Sequence, residues 1–219
     1  MTKREEKLRE KLNEKLCYER AWQARGATYI AGTDEVGRGP LAGPVVCAAV
    51  IMPLNEEALL LGVDDSKKVS EKNREILAEE IKKRAVAYTI CEVSPEEIDR
   101  INILNAVKQC MKNCVETLAV TPNVVLADAM DMDFGVESEA IIKGDAKSYT
   151  IGAASIIAKV YRDNLMKEYA KTYPEYGFAE NKGYGTAAHI SAIREKGLCP
   201  IHRRTFTKNF WAEGEREPH

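Results

Sequence analysis

Apolar residues along this chain fall in two rhythms. Residues 28–33 and 45–52 are apolar runs of strand length joined by a glycine-rich loop, most simply antiparallel neighbours, and residues 85–93, 123–127 and 139–142 are further short runs of the same kind. The second rhythm is helical. Residues 2–25 carry Leu8, Leu12 and Leu16 four apart among Lys, Arg and Glu and stop before Gly26, which predicts one amphipathic helix. Residues 70–84 turn Ile76, Leu77 and Ile81 inward behind an imperfect capping box at Ser70. Ser94-Pro95-Glu96-Glu97 supplies an N-cap, a proline at the first helical position and first-turn acids. Helices over 102–118 and 148–172 follow, the latter halted by Pro174. A hairpin followed by strand-helix alternation predicts an α/β fold, a mixed sheet covered by helices. The only boundary signal lies near Arg25-Gly26, giving an N-terminal helical extension over 1–26 and a main domain over 27–219.

The stretch IAGTDEVGRGPLAGPVV, residues 30–46, breaks this pattern, because Asp34 and Glu35 interrupt segments that otherwise read as buried strands. Unpaired buried carboxylates are costly, and a cation is a direct remedy. Successive strand residues face opposite sides, so the two acids share a site only where the strand ends or bulges. Gly37 and Gly39, flanking Arg38, allow positive φ and let a ligand approach the main chain.

The 219 residues suffice for one substantial core. Residues 1–16 are charged throughout and no run of about 18 apolar residues occurs, so neither a secretory signal nor a membrane span is expected, and the default address is cytoplasmic. Six cysteines, Cys17, Cys47, Cys91, Cys110, Cys114 and Cys199, read as reduced, buried thiols without zinc spacing, and His189, His202 and His219 are too dispersed for a histidine metal site. The net charge of −2 hides an uneven distribution: residues 141–210 hold twelve bases against six acids, a candidate backbone-binding surface.

Two later strand ends each carry an acid, Asp128 in VVLADAM and Asp145 in IIKGDAKS, and they can converge with the first pair. Asp131 and Asp133 compete for the third position, but Asp128 ends its strand directly. Oxygen-only ligands suit Mg²⁺ or Mn²⁺ rather than zinc, and two such ions can activate water and stabilise the leaving oxygen of a phosphodiester. Asp64 and Asp65 bound a loop that leaves Ser66 and Lys67 available to a phosphate.

GTDEVGRGPLAGPV, DDSKKVS, VVLADAM, KGDAKSYTIGAASIIAKVYRD and NKGYGTAAHISAIREKGLCPIHRRTF, in this order from about residue 30 to 206, resemble type 2 ribonuclease H, the ribonuclease HII family. The resemblance implies a ribonuclease H-like mixed five-stranded sheet flanked by helices, with the N-terminal helical appendage and a small C-terminal helical segment. It implies that Asp34, Glu35, Asp128 and Asp145 form a four-acid site for two divalent ions, Mg²⁺ or Mn²⁺. Gly37, Arg38 and Gly39 would be the glycine-arginine-glycine element and Tyr184 the tyrosine that reads the substrate. Ser66, Lys67, Lys143, Lys147, Lys182, Arg203 and Arg204 would complete the substrate-binding set. The implied activity is hydrolysis of the RNA strand of RNA–DNA hybrids and incision 5′ of single ribonucleotides in duplex DNA, leaving 3′-hydroxyl and 5′-phosphate ends, by a monomer that needs no membrane.

Arg38, and a preceding segment of only helix size, separate the chain from the related type 3 enzymes, which carry a large N-terminal substrate-binding domain. The short stretch after HRRTFTKNFW leaves no room for a long C-terminal helical extension. A hybrid-binding module that does not cut is the competing class, but a carboxylate cluster gains such a module nothing. Another carboxylate-metal enzyme, a phosphatase or exonuclease, would share the ions without the ribose-reading elements. A P-loop protein is excluded because no glycine-rich loop ends in Gly-Lys-Ser or Gly-Lys-Thr.

Overall fold

A computed structural model describes residues 2–210. The N-terminal segment forms two helices rather than the single one expected, α1 (Lys3–Lys15) and α2 (Cys17–Ala24). They part at Leu16, whose N–H bonds to the carbonyls of Glu14 and Leu12 in a tightened turn. Leu16 is only 2 % exposed, and burying a leucine is worth about 1.5–3 kcal/mol against a net of about 1 kcal/mol for one hydrogen bond. The turn seats Leu12 and Leu16 in one apolar cluster and Trp22 in another.

β1 (Ile30–Val36) and β2 (Val45–Ile51) form the hairpin, followed by α3 (Glu71–Arg84), β3 (Ala87–Val93), α4 (Pro95–Ile101) and α5 (Ile103–Glu116). Next come β4 (Val124–Asp128), β5 (Glu137–Ile141), α6 (Gly144–Lys147) and α7 (Tyr149–Thr172). α8 (Phe178–Asn181), α9 (Ala187–Lys196) and α10 (Arg204–Thr207) complete the C-terminal segment. Ser94 caps α4 and Ser148 caps α7 through their side chains, whereas Ser70 makes no such bond at α3.

The sheet has five strands in the order β3-β2-β1-β4-β5. β2 pairs antiparallel with β1 and β3, while β1–β4 and β4–β5 are parallel, which makes the sheet mixed. Strand alternation divides the core into two layers. Val45, Cys47, Ala49, Ile51, Val125 and Ala127 pack with α5 residues Val107, Cys110 and Met111. On the opposite face Val46, Ala48 and Val50 meet Ala153, Ile156 and Ile157 of α7. α7 lies so close to β1 that a Cβ at Gly32 would collide with the backbone of Thr150 and Ile151.

All six cysteines are free; Cys47, Cys110 and Cys114 are buried as expected, but Cys17 is exposed and Cys91 and Cys199 are partly so. No helix among the described residues is long and apolar enough to cross a membrane. His219 and the end of the 27–219 unit lie outside the described residues.

Candidate active site

The parallel pairing of β1 with β4 runs from Ile30↔Val124 to Thr33↔Ala127 and stops there, while β1 continues against β2 through Val36↔Val46. Asp34 and Asp128 therefore stand side by side one residue beyond the parallel ladder, at the carboxyl ends of adjacent parallel strands, where open α/β sheets place their ligands. Ile30 and Leu126 share a cluster on the α7 face, so period-two alternation puts Asp34 and Asp128 on that face and Glu35 on the other. Glu35 still reaches the pair, because β4 ends at Asp128 and leaves the sheet open beside it. One oxygen from each of Asp34, Glu35 and Asp128 lies within 4.8 Å of the others. No bulge is needed, only the early end of a neighbouring strand.

Three acids this close are an electrostatic problem. Asp34 is 6 % exposed, and burial, reinforced by the charges of Glu35 and Asp128, raises its pKa well above the usual carboxylate range. Burial also pushes Glu35 up to about 7, with Asp128 adding and Arg38 opposing. The relief within the protein is incomplete. Asp34 Oδ1 accepts from the N–H of Glu35 at 2.7 Å, Asp128 Oδ1 accepts from the N–H of Gly144 at 2.6 Å, and Arg38 Nη1 lies 3.3 Å from Glu35 Oε1. Glu35 Oε2 is buried with no partner. An orphaned carboxylate oxygen beside two further carboxylates is a donor set that fits a hard divalent cation.

Asp145 does not sit at a strand end as expected. β5 closes at Ile141, and Asp145 lies in the four-residue α6. It stands outside the close triad, near enough that its charge raises Asp34 and that burial, Asp65 and Asp128 raise Asp145 itself. Ala129 and Lys143 hold positive φ, 50° and 59°, directly after Asp128 and directly before Gly144-Asp145. Such backbone costs about 1–3 kcal/mol per residue and clusters at functional sites. Asp131 and Asp133 take no part in the cluster.

The glycine turn lies beside these acids. Gly37 has φ 95°, and a Cβ there would run into Arg162. Arg162 and Arg203 are both fully buried. Arg203, expected to hold phosphate, instead donates to the carbonyls of Gly43 at 2.9 Å, Arg38 at 2.9 Å and Gly37 at 2.6 Å. Burial, with Arg162 nearby, lowers it to about 9, and no phosphate reaches it. Arg162 donates to Pro44 at 3.0 Å, Lys182 at 2.9 Å and Ala42 at 3.1 Å. In a trans peptide the C=O of one residue and the N–H of the next point in opposite directions. Carbonyls turned onto Arg203 at Gly37 and Arg38 thus send the N–H groups of Arg38 and Gly39 the other way.

The Tyr184 loop is fastened to the same turn. Leu41 and Ala42 donate to the carbonyl of Gly183 at 2.8 Å and 3.3 Å. Tyr184 Cε1 lies 3.8 Å from where a Cβ of Gly39 would stand, and Tyr184 is 45 % exposed. Beneath it the two histidines meet, dispersed in sequence but not in space. His189 Nδ1 is 2.9 Å from the carbonyl of Tyr184, His189 Nε2 is 3.0 Å from His202 Nε2, and His202 Nδ1 is 2.9 Å from the N–H of Cys199. This chain fixes both tautomers. His189 donates from Nδ1 to the carbonyl, so its Nε2 accepts from His202 Nε2–H, and His202 Nδ1 accepts from Cys199.

Among the other expected substrate contacts, Lys67, Lys143, Lys147 and Arg204 are exposed and free to meet a backbone. Ser66 is buried and its hydroxyl accepts from Ser155 at 3.0 Å, so it supports the site from within. Lys182 Nζ folds back onto the carbonyl of Ala179. Sequence reasoning missed Arg162 and the histidine pair. The available signal was Arg162 standing four residues from Ala158 and from Met166 on the buried stripe of α7.

Comparison with known proteins agrees with this geometry. A family model described as Ribonuclease HII matches residues 31–213. A ribonuclease HII of Ruminiclostridium cellulolyticum is 51% identical over 202 residues, 92% of this chain and 78% of its own length. One from Bacillus cereus (strain B4264) is 52% identical over 202 residues with the same coverage, 92% and 78%. The crystal structure of the ribonuclease H2 from Pyrococcus horikoshii OT3 superposes with a TM-score of 0.69 at 29% identity, covering 84% of this chain and 97% of that one.

Proposed function

The chain belongs to the ribonuclease HII family, and from that membership we propose a residue-level account of how it acts. It is an endoribonuclease of RNA–DNA hybrids, a hydrolase of phosphodiester bonds. The observation that carries the account is the close triad of buried Asp34 and half-buried Glu35 and Asp128, with its orphaned Glu35 oxygen, beside a main-chain turn whose N–H groups are aimed by Arg203.

Asp34, Glu35 and Asp128 would hold divalent ions, with Asp145 contributing to a second, and two ions, Mg²⁺ or Mn²⁺, would when bound supply water activation and charge stabilisation at the leaving 3′ oxygen. The N–H groups of Arg38 and Gly39 recognise the 2′-hydroxyl, the group that separates RNA from DNA. Tyr184, close against Gly39, packs on the adjacent sugar. A single ribonucleotide in duplex DNA presents the same 2′-hydroxyl, so incision on its 5′ side, leaving a 3′-hydroxyl and a 5′-phosphate, follows from the same contacts. Lys67, Lys143, Lys147 and Arg204 meet phosphates and position the duplex without reading it.

The test is an end-labelled DNA duplex with one embedded ribonucleotide, in Mg²⁺ and in Mn²⁺, beside all-DNA and long-hybrid controls. Cutting 5′ of the ribonucleotide, absent from the all-DNA duplex and lost by at least about 10²-fold in Asp34→Asn, is the expected result. Binding without cutting in either metal would replace the account with the binding-module alternative.

A further inference from the structure

Two charged side chains of the N-terminal segment are buried beyond what packing requires: Lys15 at 2 % exposure and Glu19 at 0 %. Leu12, Leu16 and Trp22 already supply that segment's apolar contacts. Burying an ammonium and a carboxylate is expensive unless each is paired, so their partners say what they are for. Lys15 Nζ donates to the main-chain carbonyl of Asp145 at 2.9 Å and lies 3.1 Å from Asp64 Oδ1. Glu19 Oε1 accepts from Ser148 Oγ at 2.6 Å and from the N–H and Oγ1 of Thr150, both at 2.9 Å.

The two residues, four apart, bracket residues 145–148, one at each end. Helix α6, which carries Asp145, has only four residues, too few to hold themselves in place, since a first helical turn is unfavourable alone. It is also tied to Asp128 Oδ1 through the N–H of Gly144 and to the start of α7 through Ser148, whose side chain accepts from the N–H of Ile151. Contacts from α1 and α2 therefore fix the one acid that stands apart from the close triad.

We infer that Lys15 and Glu19 are positioning residues for Asp145, so that the N-terminal helix pair is a built-in brace for the second-cation side of the acidic site. This rests on the reading of Asp145 given above. Outer-shell groups that orient ligands are typically worth 10–100-fold in metal affinity. A purely structural buried charge behaves differently: removing it leaves its partners unpaired and lowers stability, with no effect on metal affinity beyond that loss.

The experiment uses the full chain as wild type and as Lys15→Met, Lys15→Arg, Glu19→Gln, Trp22→Phe and Asp145→Asn. Free Mn²⁺ is titrated by electron paramagnetic resonance without substrate, and Tm, KM for the ribonucleotide duplex and the Mn²⁺ needed for half-maximal cleavage are measured alongside. Asp145→Asn is expected to abolish the weaker Mn²⁺ site. Lys15→Met and Glu19→Gln weaken that site by about 10-fold and raise the Mn²⁺ requirement equally, with KM unchanged, while Lys15→Arg recovers most of the loss. Trp22→Phe breaks the 2.8 Å bond to Glu139 and lowers Tm without moving Mn²⁺ binding. If Asp145→Asn removes the site but the Lys15 and Glu19 variants bind Mn²⁺ as wild type does, the brace is overturned and the Asp145 reading stands. Mn²⁺ affinity that simply follows Tm, Trp22→Phe included, overturns it equally. Unchanged Mn²⁺ binding in Asp145→Asn itself removes the Asp145 reading and the brace together.

Discussion

At the carboxyl edge of β1 and β4 three acids crowd together and Glu35 Oε2 is left without a partner. A few residues further on, the carbonyls of Gly37, Arg38, Ala42, Gly43, Pro44 and Lys182 each receive a guanidinium N–H from Arg162 or Arg203. One region is electrostatically incomplete until a cation arrives; the other is completed by the protein alone. The difference follows from what each must do. A site proposed to take up exchangeable ions keeps ligand capacity in reserve, whereas a turn proposed to tell a ribose from a deoxyribose keeps its peptide planes fixed before substrate arrives.

The sharpest way to break this contrast is Arg203→Met. It orphans three carbonyls at once, those of Gly37 and Gly43 in buried bonds and that of Arg38 in a part-buried one, and since a buried one is worth about 1–3 kcal/mol, urea unfolding is expected to show a loss of about 3 kcal/mol. The acidic edge is untouched, so in protein that remains folded ribonucleotide cleavage falls steeply while Mn²⁺ binding holds. Loss of Mn²⁺ binding in step with cleavage would mean that the two regions are one unit.

Next in size is the response to the ion. Saturating Mn²⁺ stabilises the wild type, by about 2.7 kcal/mol at a hundred times Kd. Asp34→Asn loses most of that gain, and without metal it melts no lower than wild type, because a carboxylate raised by burial and by Glu35 and Asp128 has been removed. A metal-free variant far less stable than the wild type would show that the acids bond one another structurally.

The two regions also carry pH dependences of opposite sign. Burial and the neighbouring His189 lower His202 to about 4 from its ordinary 6.5, so the folded state favours the neutral ring. That stability is present above pH 6.5 and is lost as pH falls toward 4, about 2 kcal/mol of it between pH 7 and 5. Glu35 is raised from 4.5 to about 7, so its contribution is present below pH 4.5 and is lost as pH rises through 7. In metal-free protein the two oppose each other. His202→Asn unmasks the acidic edge, and its stability relative to wild type improves on acidification from pH 7 to 5. Parallel curves would remove the histidine chain beneath Tyr184 from the account.

The same division governs what could be read in advance. The strands, the hairpin and the convergence of Asp34, Glu35 and Asp128 were legible because a carboxylate in an apolar run violates the pattern around it. Arg203, Lys15 and Glu19 were not, because a charged residue among other charged residues reads as solvated surface, and only the fold shows carbonyls waiting for Arg203 or a short helix leaning on Lys15. Asp145 was expected at a strand end and lies in a four-residue helix instead, which leaves no periodicity to detect. The split of α1 from α2 escaped for a related reason: Leu16 belongs to the same stripe whether or not the helix bends there.

The smallest expected effect belongs to the exposed cations, and there the contrast becomes quantitative. Lys147 is exposed, so Lys147→Ala removes its proposed phosphate contact and leaves stability within about 0.5 kcal/mol. Its signature is in salt. The slope of log affinity against log salt concentration becomes shallower by about 0.9 for each phosphate contact removed, equally for a ribonucleotide duplex and for all-DNA of the same length. Arg203 makes no phosphate contact, so Arg203→Lys, which keeps the charge and gives up the guanidinium fork, leaves the slope unchanged and lowers the preference for the ribonucleotide duplex. Fluorescence anisotropy in Ca²⁺, across a salt series with both duplexes, separates the two variants. A Lys147→Ala that changed preference but not slope would place that lysine in the reading turn rather than on the backbone path.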